Sequence, residues 1–316
     1  MGAGAMNNVF GPVPSRRLGR SLGIDLVPFK TCTYDCLYCQ LGRTTNRTME
    51  RTEWFPLGDI LSEVKDRLSS RPDYITLSGS GEPTLYSGLG DLIEGIHAMT
   101  DIPVAVLTNG SLLWDNDIRR ELAGAHLVVP SLDAGDAAMF RKVNRPHPDI
   151  SFERMVEGLA DFRREYRGAL WLEVFILGGM TSAREEAAKI AALAKKIAPD
   201  RVQLNTVTRP PAEDAAVKVP ETVLKEVARL FDPAAEIIAD FRKESTGGDF
   251  TATREAVMDT IRRRPCSVGD IAGGLGIHRH EALKHIEELL ARGQIEKTLS
   301  GETAYYRRTG QNNEKE

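Results

Sequence analysis

Three cysteines lie close together in one short segment, at Cys32, Cys36 and Cys39, with the spacing C-x3-C-x2-C. Thiolates this close in sequence can bind irons of a [4Fe–4S] cluster, which usually takes four cysteine ligands. A site with three cysteines leaves one iron without a protein ligand, and that iron can bind a small molecule. The spacing therefore predicts an iron–sulfur site whose open iron takes part in chemistry.

Other uses of these cysteines fit the sequence less well. A structural zinc site needs four ligands, usually arranged as two close pairs, and the next histidine along the chain is His97. A structural disulfide needs an oxidising compartment, and the remaining cysteine, Cys266, is far away in sequence. Buried thiols without a function are a further alternative, and the motifs that follow along the chain argue against it.

A glycine-rich segment at residues 78–84, with the sequence SGSGEPT, follows the second predicted strand. Glycines at a strand end let a ligand approach the backbone, which makes Gly79 and Gly81 candidate binding residues. Glu82 adds a carboxylate to the same turn. An ordinary turn before a helix is the alternative interpretation.

Polar side chains recur at or near the ends of the later predicted strands. They are Asn109, Ser131, Asp133, Glu173, Gln203, Asn205 and Arg209. Asn109 belongs to an Asn-Gly pair, which is also a common turn signal. A carboxylate such as Glu173 within an apolar strand must be paired or exposed. Gln203 and Asn205 alternate with apolar residues and share one face of their strand, so we expect both side chains to face the interior of the barrel.

Six apolar segments alternate with amphipathic helical patterns and are predicted to be strands. They cover residues 23–27, 74–78, 104–108, 127–131, 171–177 and 201–205. The helical patterns between them cover residues 57–68, 88–99, 118–123, 152–166 and 183–197. This alternation predicts an α/β fold with a parallel sheet and external helices. Barrels of this kind place their chemistry on the loops that follow the strands, where the cysteines lie.

Over about residues 9–240, these motifs resemble those of the radical S-adenosylmethionine (SAM) enzymes. The resemblance implies a partial (β/α)6 barrel and a [4Fe–4S] cluster on Cys32, Cys36 and Cys39, whose open iron binds the amino and carboxylate groups of SAM. An electron from the cluster then cleaves the sulfonium and leaves a 5′-deoxyadenosyl radical. The electron would come from a reductant such as flavodoxin or ferredoxin.

The same resemblance assigns further residues to the SAM site. The aromatic residue before the last cysteine, Tyr38, packs near the adenine in this family, and the Gly-Glu-Pro motif meets the methionyl ammonium. The expected cofactor-binding residues are Tyr38, Gly79, Gly81, Glu82, Asn109, Ser131, Glu173, Gln203 and Asn205. The expected substrate residues are Arg16, Arg17, Asp133 and Arg209.

Two stretches, SGSGEPTL and QLNTVTRPPAE, look like the branch that includes the tRNA wyosine-base synthases. Those enzymes make a tricyclic base on tRNA from pyruvate and need a second cluster, with its own cysteines upstream of the first set. No cysteine precedes Cys32 in this sequence. We therefore do not expect wyosine synthesis.

Composition and charge restrict the location and the partners. The net charge of −4 over 316 residues argues against a general polyanion binder. No apolar run reaches the roughly 18 residues of a membrane span, and residues 1–6 are too short and uncharged for a signal peptide. We therefore expect a cytoplasmic protein that does not bind membranes.

Basic residues are concentrated around the cysteine loop. Between residues 7 and 51 there are seven of them against three acidic residues, a local net charge of +4. The basic residues are Arg16, Arg17, Arg20, Lys30, Arg43, Arg47 and Arg51. Either they form a rim that receives an anionic substrate, or they are a solvated face without a function.

The chain is predicted to contain two domains, a radical SAM barrel at 1–242 and a winged helix-turn-helix at 252–309. The segment 243–251 (KESTGGDFT) is expected to be a linker, and 310–316 a disordered tail. Helical patterns at 253–264, 268–273 and 278–292 precede a hairpin at 295–307. We expect basic and aromatic residues of the hairpin to contact the substrate; they are Lys297, Tyr305, Tyr306, Arg307 and Arg308.

Three functions are compatible with this organisation. The first is an enzyme that abstracts hydrogen from an unidentified substrate, with tRNA as the leading choice. The second is an enzyme that modifies a protein or peptide or activates a glycyl-radical enzyme, since those activators share a single cluster. The third is a redox sensor that binds DNA through the winged helix, against which the motifs for SAM argue.

Overall fold

The structure is a computed structural model that describes residues 8–15, 17–239, 254–275, 277, 279–300 and 303–310. Arg16, the expected linker at 243–251 and residues 311–316 lie outside the described residues. The expected linker and the substrate role of Arg16 therefore stay predictions.

Strands and helices alternate along most of the chain. The strands are β1 (Val9–Ser15), β2 (Gly19–Ile24), β3 (Thr31–Cys32), β4 (Asn46–Arg47), β5 (Tyr74–Leu77), β6 (Val104–Thr108), β7 (Leu127–Pro130), β8 (Ala169–Phe175), β9 (Arg201–Asn205), β10 (Glu236–Ile237), β11 (Ile295–Ser300) and β12 (Thr303–Arg308). The α-helices are α1 (Leu57–Arg67), α2 (Leu89–His97), α3 (Asn116–Leu122), α4 (Ala137–Val143), α5 (Phe152–Glu165), α6 (Arg184–Ile197), α7 (Glu221–Ala228), α8 (Arg254–Arg263), α9 (Val268–Leu275) and α10 (Arg279–Ala291). None of the helices in the described part of the chain is both long and apolar enough to cross a bilayer.

The main sheet has eight strands in the order β1-β2-β5-β6-β7-β8-β9-β10. Strands β2 and β5 to β9 are six parallel neighbours, so the predicted α/β fold with a parallel sheet is confirmed. Strand β1 is antiparallel to β2 at one edge, and β10 is parallel to β9 at the other. Strands β6 and β9 have the predicted bounds, whereas β2 begins at Gly19, earlier than the predicted residue 23.

The sheet curves so that its first strands face its last ones. Along β8, Leu172 and Val174 are fully buried, whereas Trp171, Glu173 and Phe175 alternate with them on a less buried face. Arg17, in the turn between β1 and β2, forms an ion pair with Glu173 across the interior. This contact requires the curvature of a partial barrel, with the alternate faces pointing inward and toward the helices.

Strands β1, β3 and β4 and helix α4 were not predicted from the sequence. Strand β1 contains one glycine and two prolines in the sequence VFGPVPS, which disfavour a central strand but are tolerated at a sheet edge. Helix α4 has only seven residues, too few for a clear helical period. Its amino end is capped by the side chain of Asp136, which accepts a hydrogen bond from the backbone N–H of Met139 at 2.9 Å.

The C-terminal region (residues 254–310) contains α8, α9, α10 and the β11–β12 hairpin. Its apolar core is separate from the core of the barrel and includes Val257, Ile261, Cys266 and Ile286. The hairpin is paired in antiparallel register from Ile295 to Ser300. These elements agree with the predicted helices and hairpin to within two or three residues at each end.

Candidate functional site

The cysteine loop begins at the end of β3, shortly after β2. Cys32, Cys36 and Cys39 all have free, partly exposed thiols. The loop is held by backbone hydrogen bonds, from the N–H of Cys39 to the carbonyl of Cys36 at 3.2 Å and from the N–H of Leu37 to the carbonyl of Val143 at 3.0 Å. The end of α4 therefore fixes the loop at the carboxyl ends of the parallel strands, where barrels carry their chemistry.

Two side-chain amides lie against the cysteine sulfurs. Asn109 Nδ2 is 3.6 Å from Cys32 Sγ, and Asn144 Nδ2 is 3.5 Å from Cys36 Sγ. Asn109 Nδ2 also donates to Thr33 Oγ1 at 2.7 Å, which fixes the amide orientation. N–H donors to sulfur are among the features that set the potential of an iron–sulfur cluster.

The thiols of Cys32 and Cys36 favour the protonated form when no metal is bound. Burial, followed by the charge of the neighbouring Glu82 carboxylate, raises the pKa of Cys32 to about 12. Burial, followed by the charge of Asp133, also raises the pKa of Cys36. These cysteines would be protonated thiols near neutral pH, and a bound metal is what removes the proton from such a ligand.

Among residues 8–310 that the structure describes, no group of three or more His, Cys, Asp or Glu side chains is placed to hold one metal ion. In a [4Fe–4S] cube each cysteine binds a different iron, so its ligands need not converge on a point. Three free thiols on one loop, two of them beside amide donors, meet that requirement.

The glycine turn at residues 78–82 packs against the cysteine loop too closely for side chains. Gly79 has φ +137°, and a Cβ on it would lie 1.7 Å from Asp25 Oδ1. A Cβ on Gly81 would lie 1.8 Å from the carbonyl oxygen of Thr31. The N–H of Ser80 donates to Asp25 Oδ1 at 2.6 Å. Both glycines are therefore required by close backbone approach.

Glu82 is 2% exposed, and both oxygens of its carboxylate accept hydrogen bonds from neighbouring groups of the chain. One oxygen accepts from Thr84 N at 3.1 Å, Thr84 Oγ1 at 2.7 Å and Thr108 Oγ1 at 2.6 Å, and the other accepts from Asn109 N at 2.7 Å. Burial raises the pKa of Glu82, and these hydrogen bonds oppose the rise. Glu82 thus ties the glycine turn to the end of β6, where Asn109 lies.

Asp133 organises the other side of the loop. It accepts hydrogen bonds from the Tyr38 hydroxyl, from Asn144 Nδ2 at 2.8 Å and from the N–H of Phe175 at 2.9 Å. Burial raises the pKa of Asp133 to about 6. The Tyr38 ring stacks on Phe175 with ring centroids 3.9 Å apart. Asp133, expected to meet substrate, therefore holds Tyr38 and Asn144 in place.

A polar cluster lies inside the barrel. Glu173 pairs with Arg17 and accepts from Asn205 Nδ2 at 3.0 Å, while Arg17 Nη1 donates to Gln203 Oε1 at 3.4 Å. Ser131 bridges to the backbone of Glu173 on the neighbouring strand. The structure thus brings together five of the predicted cofactor or substrate residues. The parallel register of β8 and β9 places Glu173 beside Gln203 and Asn205.

Several arginines of the predicted basic rim are paired with carboxylates, so fewer positive charges are available to an anion than the sequence suggests. Arg17 lies inside the barrel, and Arg51 pairs with Glu121. Arg43 lies 3.5 Å from Asp35 and 3.8 Å from Glu213. Counting charges along one segment overlooked carboxylates that come from distant parts of the chain, so the local excess of +4 overstates the attraction for an anion.

Arg209 does not project freely from the rim. Its Nη2 is 2.7 Å from Asp270 Oδ1 on α9, and its Nη1 is 3.4 Å from Gln40 Oε1, next to the last cysteine of the motif. It therefore connects the cysteine loop with the C-terminal region. The predicted contact of Arg209 with substrate stays a prediction.

Sequence reasoning missed Asn144 and Asp25. Asn144 follows α4, which was not predicted, and the only local signal is its position directly after a short amphipathic segment. Asp25 was counted only as part of the local charge, although it follows β2 directly, and a polar residue at that place on a parallel strand faces the site.

Comparisons with known proteins identify the family of this chain. Residues 26–189 match the family described as the Radical SAM superfamily. The chain is 39% identical over 303 residues to a protein of Brachyspira hyodysenteriae named GTPase Obg, covering 94% of this chain but 45% of that protein, so it spans less than half of that relative. It is 40% identical over 232 residues to a UPF0026 protein of Methanocaldococcus jannaschii, covering 72% of each. A radical SAM methyltransferase from Sphaerobacter thermophilus has a similar fold, with a TM-score of 0.54 and 15% identity over 70% of this chain and 65% of that one.

Proposed function

Because the chain belongs to the radical SAM superfamily and to the UPF0026 family, we propose that its cysteine loop holds the [4Fe–4S] cluster that reductively cleaves SAM. The protein is an enzyme whose cofactors are that cluster and SAM. Cys32, Cys36 and Cys39 are the proposed ligands. The observation that carries this assignment is the set of three free thiols on one loop, with amides of Asn109 and Asn144 beside two of the sulfurs.

A cluster held by Cys32, Cys36 and Cys39 would supply the electron that splits SAM into methionine and a 5′-deoxyadenosyl radical. The chain's own residues bind and orient. Asn109 and Asn144 donate toward sulfur and stabilise the electron-rich ligands. Glu82 fixes the backbone of the glycine turn and of Asn109, so that both face the cysteine loop in one geometry.

We assign the remaining cofactor contacts to two groups of side chains. Tyr38, held by stacking on Phe175, is the proposed neighbour of the adenine. The connected polar cluster inside the barrel is the proposed site for the ribose or the methionyl group; it comprises Ser131, Glu173, Gln203 and Asn205. Gly79 and Gly81 leave backbone groups accessible where side chains would collide with the loop.

The substrate assignment rests on the C-terminal region. We propose that residues 252–309 form a winged helix-turn-helix domain, joined through a linker at 243–251, and that it presents a macromolecular substrate. We propose tRNA as the first class to test and a protein or peptide as the second. The match to the radical SAM superfamily argues against the third alternative, a redox sensor, because a sensor needs no site for SAM.

One expected detail of substrate binding is wrong. Tyr305 and Tyr306 are 8% and 6% exposed, and the Tyr305 hydroxyl donates to the carbonyl of Thr208 at 2.6 Å. Arg307 lies 2.7 Å from Glu296 within the hairpin. The two tyrosines lie on opposite faces of β12. Tyr306 packs in the core of the C-terminal region and Tyr305 packs against Thr208, so both rings stabilise the fold.

We further propose a cytoplasmic location and a low-potential protein reductant such as flavodoxin or ferredoxin. The free thiols require a reducing environment to remain available to iron. Reductive cleavage of SAM consumes one electron, which this reductant would supply to the cluster.

Formation of 5′-deoxyadenosine tests the proposed chemistry. With dithionite as reductant, the reconstituted wild-type protein should produce 5′-deoxyadenosine from SAM, and Cys36→Ala should not. Cys266→Ala is the matched control, because Cys266 lies in the separate core of the C-terminal region. Equal 5′-deoxyadenosine formation by wild type and Cys36→Ala would refute the assignment.

The substrate class is tested by what binds the enzyme. The intact protein should retain tRNA after purification, and binding should fall steeply with added salt because counterion release drives it. Retention of a defined protein or peptide with no nucleic acid would favour the second class. Mass spectrometry of tRNA and protein from cells without the enzyme then identifies the modification that is lost.

A further inference from the structure

A buried ion pair joins the C-terminal region to the barrel. Arg263, at the end of α8, pairs with Asp25, the residue that follows β2. Their side chains are 14% and 9% exposed. The Arg263 guanidinium also lies over the ring of Phe10 on β1, 3.8 Å from the ring centroid. The pair is therefore enclosed between the two parts of the chain.

The same carboxylate holds the glycine turn. Asp25 Oδ2 forms the ion pair with Arg263, and Asp25 Oδ1 accepts a hydrogen bond from the backbone N–H of Ser80 at 2.6 Å. Gly79 has no room for a Cβ because Asp25 Oδ1 occupies that space. Arg263, Asp25 and the Ser80 amide thus form a continuous chain of contacts from the C-terminal region to the turn that faces the cysteine loop.

The C-terminal region contacts both sides of the open barrel. Arg263 reaches the segment after β2, near one edge of the sheet. Asp270 and Tyr305 reach Arg209 and Thr208, which follow β9 near the other edge, at 2.7 and 2.6 Å. The region is therefore anchored at two points across the gap that the parallel strands leave open.

We propose that Arg263 is a positioning residue for the SAM site, through which the C-terminal region orders the glycine turn. The proposal rests on the proposed function of that turn. Without the guanidinium, Asp25 would be a buried carboxylate lacking its cationic partner. It would turn toward water or bind a proton, and the N–H of Ser80 would lose its charged acceptor. The turn would then be less ordered before SAM binds.

Amide hydrogen exchange tests the proposal in the full-length protein without any cofactor. In wild type, the segment at 78–82 should be protected. In Arg263→Met, exchange in that segment should rise about tenfold or more, because a hydrogen bond to a charged group is lost. Arg262→Met is the matched control, since Arg262 lies on the same helix and is 3.4 Å from Asp259 there. Arg263→Lys should restore part of the protection.

SAM affinity provides the second measurement. After anaerobic reconstitution, Arg263→Met should retain its iron but bind SAM about tenfold more weakly, and Arg262→Met should bind as wild type does. Adding Asp25→Asn to Arg263→Met should change the affinity little further, because both substitutions remove the same contact. Unchanged exchange and affinity in Arg263→Met would overturn the proposal.

Misfolding of Arg263→Met and failure of wild type to bind SAM can each be distinguished from failure of the proposal. If Arg263→Met does not fold, Asp25→Asn, which keeps the side-chain volume, decides the question with the same two measurements. If wild type itself does not bind SAM, the proposed function fails, whereas the exchange comparison still decides whether Arg263 orders the turn.

Discussion

The substitution Glu82→Gln tests how the glycine turn is fixed. Both carboxylate oxygens of Glu82 accept hydrogen bonds. Oε1 accepts three, and Oε2 accepts one, from the N–H of Asn109. Glutamine retains the shape but replaces one oxygen with an NH2 group. If that group takes the position of Oε2, it faces the N–H of Asn109, so a donor meets a donor and a hydrogen bond to a charged acceptor is lost.

The expected loss of SAM affinity follows from the hydrogen bond between the N–H of Asn109 and Glu82. A hydrogen bond to a charged group contributes about 1.5–3 kcal/mol, which corresponds to roughly a 10- to 150-fold change in an equilibrium constant. We expect SAM affinity to fall within that range, because Asn109 and the turn no longer hold one geometry. Glu82→Ala should have a larger effect, since it also leaves the hydroxyls of Thr84 and Thr108 without their acceptor.

The assay is equilibrium binding of SAM to anaerobically reconstituted protein, with iron content and the free energy of unfolding measured in parallel. Iron content should stay at the wild-type value, because the cysteine ligands are untouched. Glu165→Gln is the matched control, since Glu165 pairs with Arg119 and its side chain is 49% exposed. A lower unfolding free energy with unchanged SAM affinity would refute the reasoning and leave Glu82 with a structural role only.

Three further predictions concern the surroundings of the cluster. Gly81→Ala should abolish SAM binding and destabilise the protein, because the new methyl group would lie 1.8 Å from the carbonyl oxygen of Thr31; calorimetric titration and thermal unfolding measure both effects, and wild-type affinity would contradict the placement of the turn. Asn144→Leu should retain iron but shift the cluster's reduction potential, since the amide beside Cys36 Sγ is removed; a potential equal to that of wild type in a redox titration would show that this contact is unimportant. Arg17→Met should lower the free energy of unfolding by about 3–5 kcal/mol, because it removes the cation that pairs with the Glu173 carboxylate in the barrel interior; chemical denaturation measures it, and a change below about 1 kcal/mol would mean that water compensates the charge.

The parallel sheet could be predicted because its strands carry their own signals. Strands β6 and β9 are apolar, short and bounded by turns, and their predicted bounds are those of the structure. Strand β1 is stabilised by its pairing with β2 and not by local preference. The glycine and prolines of β1 disfavour a strand when the segment is considered alone, so β1 could not be predicted from its own sequence.

The motifs of the candidate site could also be found, because close sequence spacing puts the three cysteines on one loop and the two glycines in one turn. The partners of the charged residues could not. Arg17 meets Glu173, which is 156 residues away, and Asp25 meets Arg263, which is 238 residues away. Contacts at such separations depend on how the barrel curves and how the C-terminal region packs. The same limit explains why Tyr305 was assigned to a ligand although it is buried against Thr208.

Anaerobic reconstitution with iron and sulfide, followed by electron paramagnetic resonance of the reduced protein, tests the central claim most directly. Wild type should bind close to four irons per chain, as a [4Fe–4S] cluster requires, and its reduced signal should change when SAM is added. Single replacement of Cys32, Cys36 or Cys39 by alanine should abolish that signal, whereas Cys266→Ala should preserve it. Stoichiometric zinc held tightly in place of iron, or a reduced signal that SAM leaves unchanged, would contradict the assignment of this loop as the site of SAM cleavage.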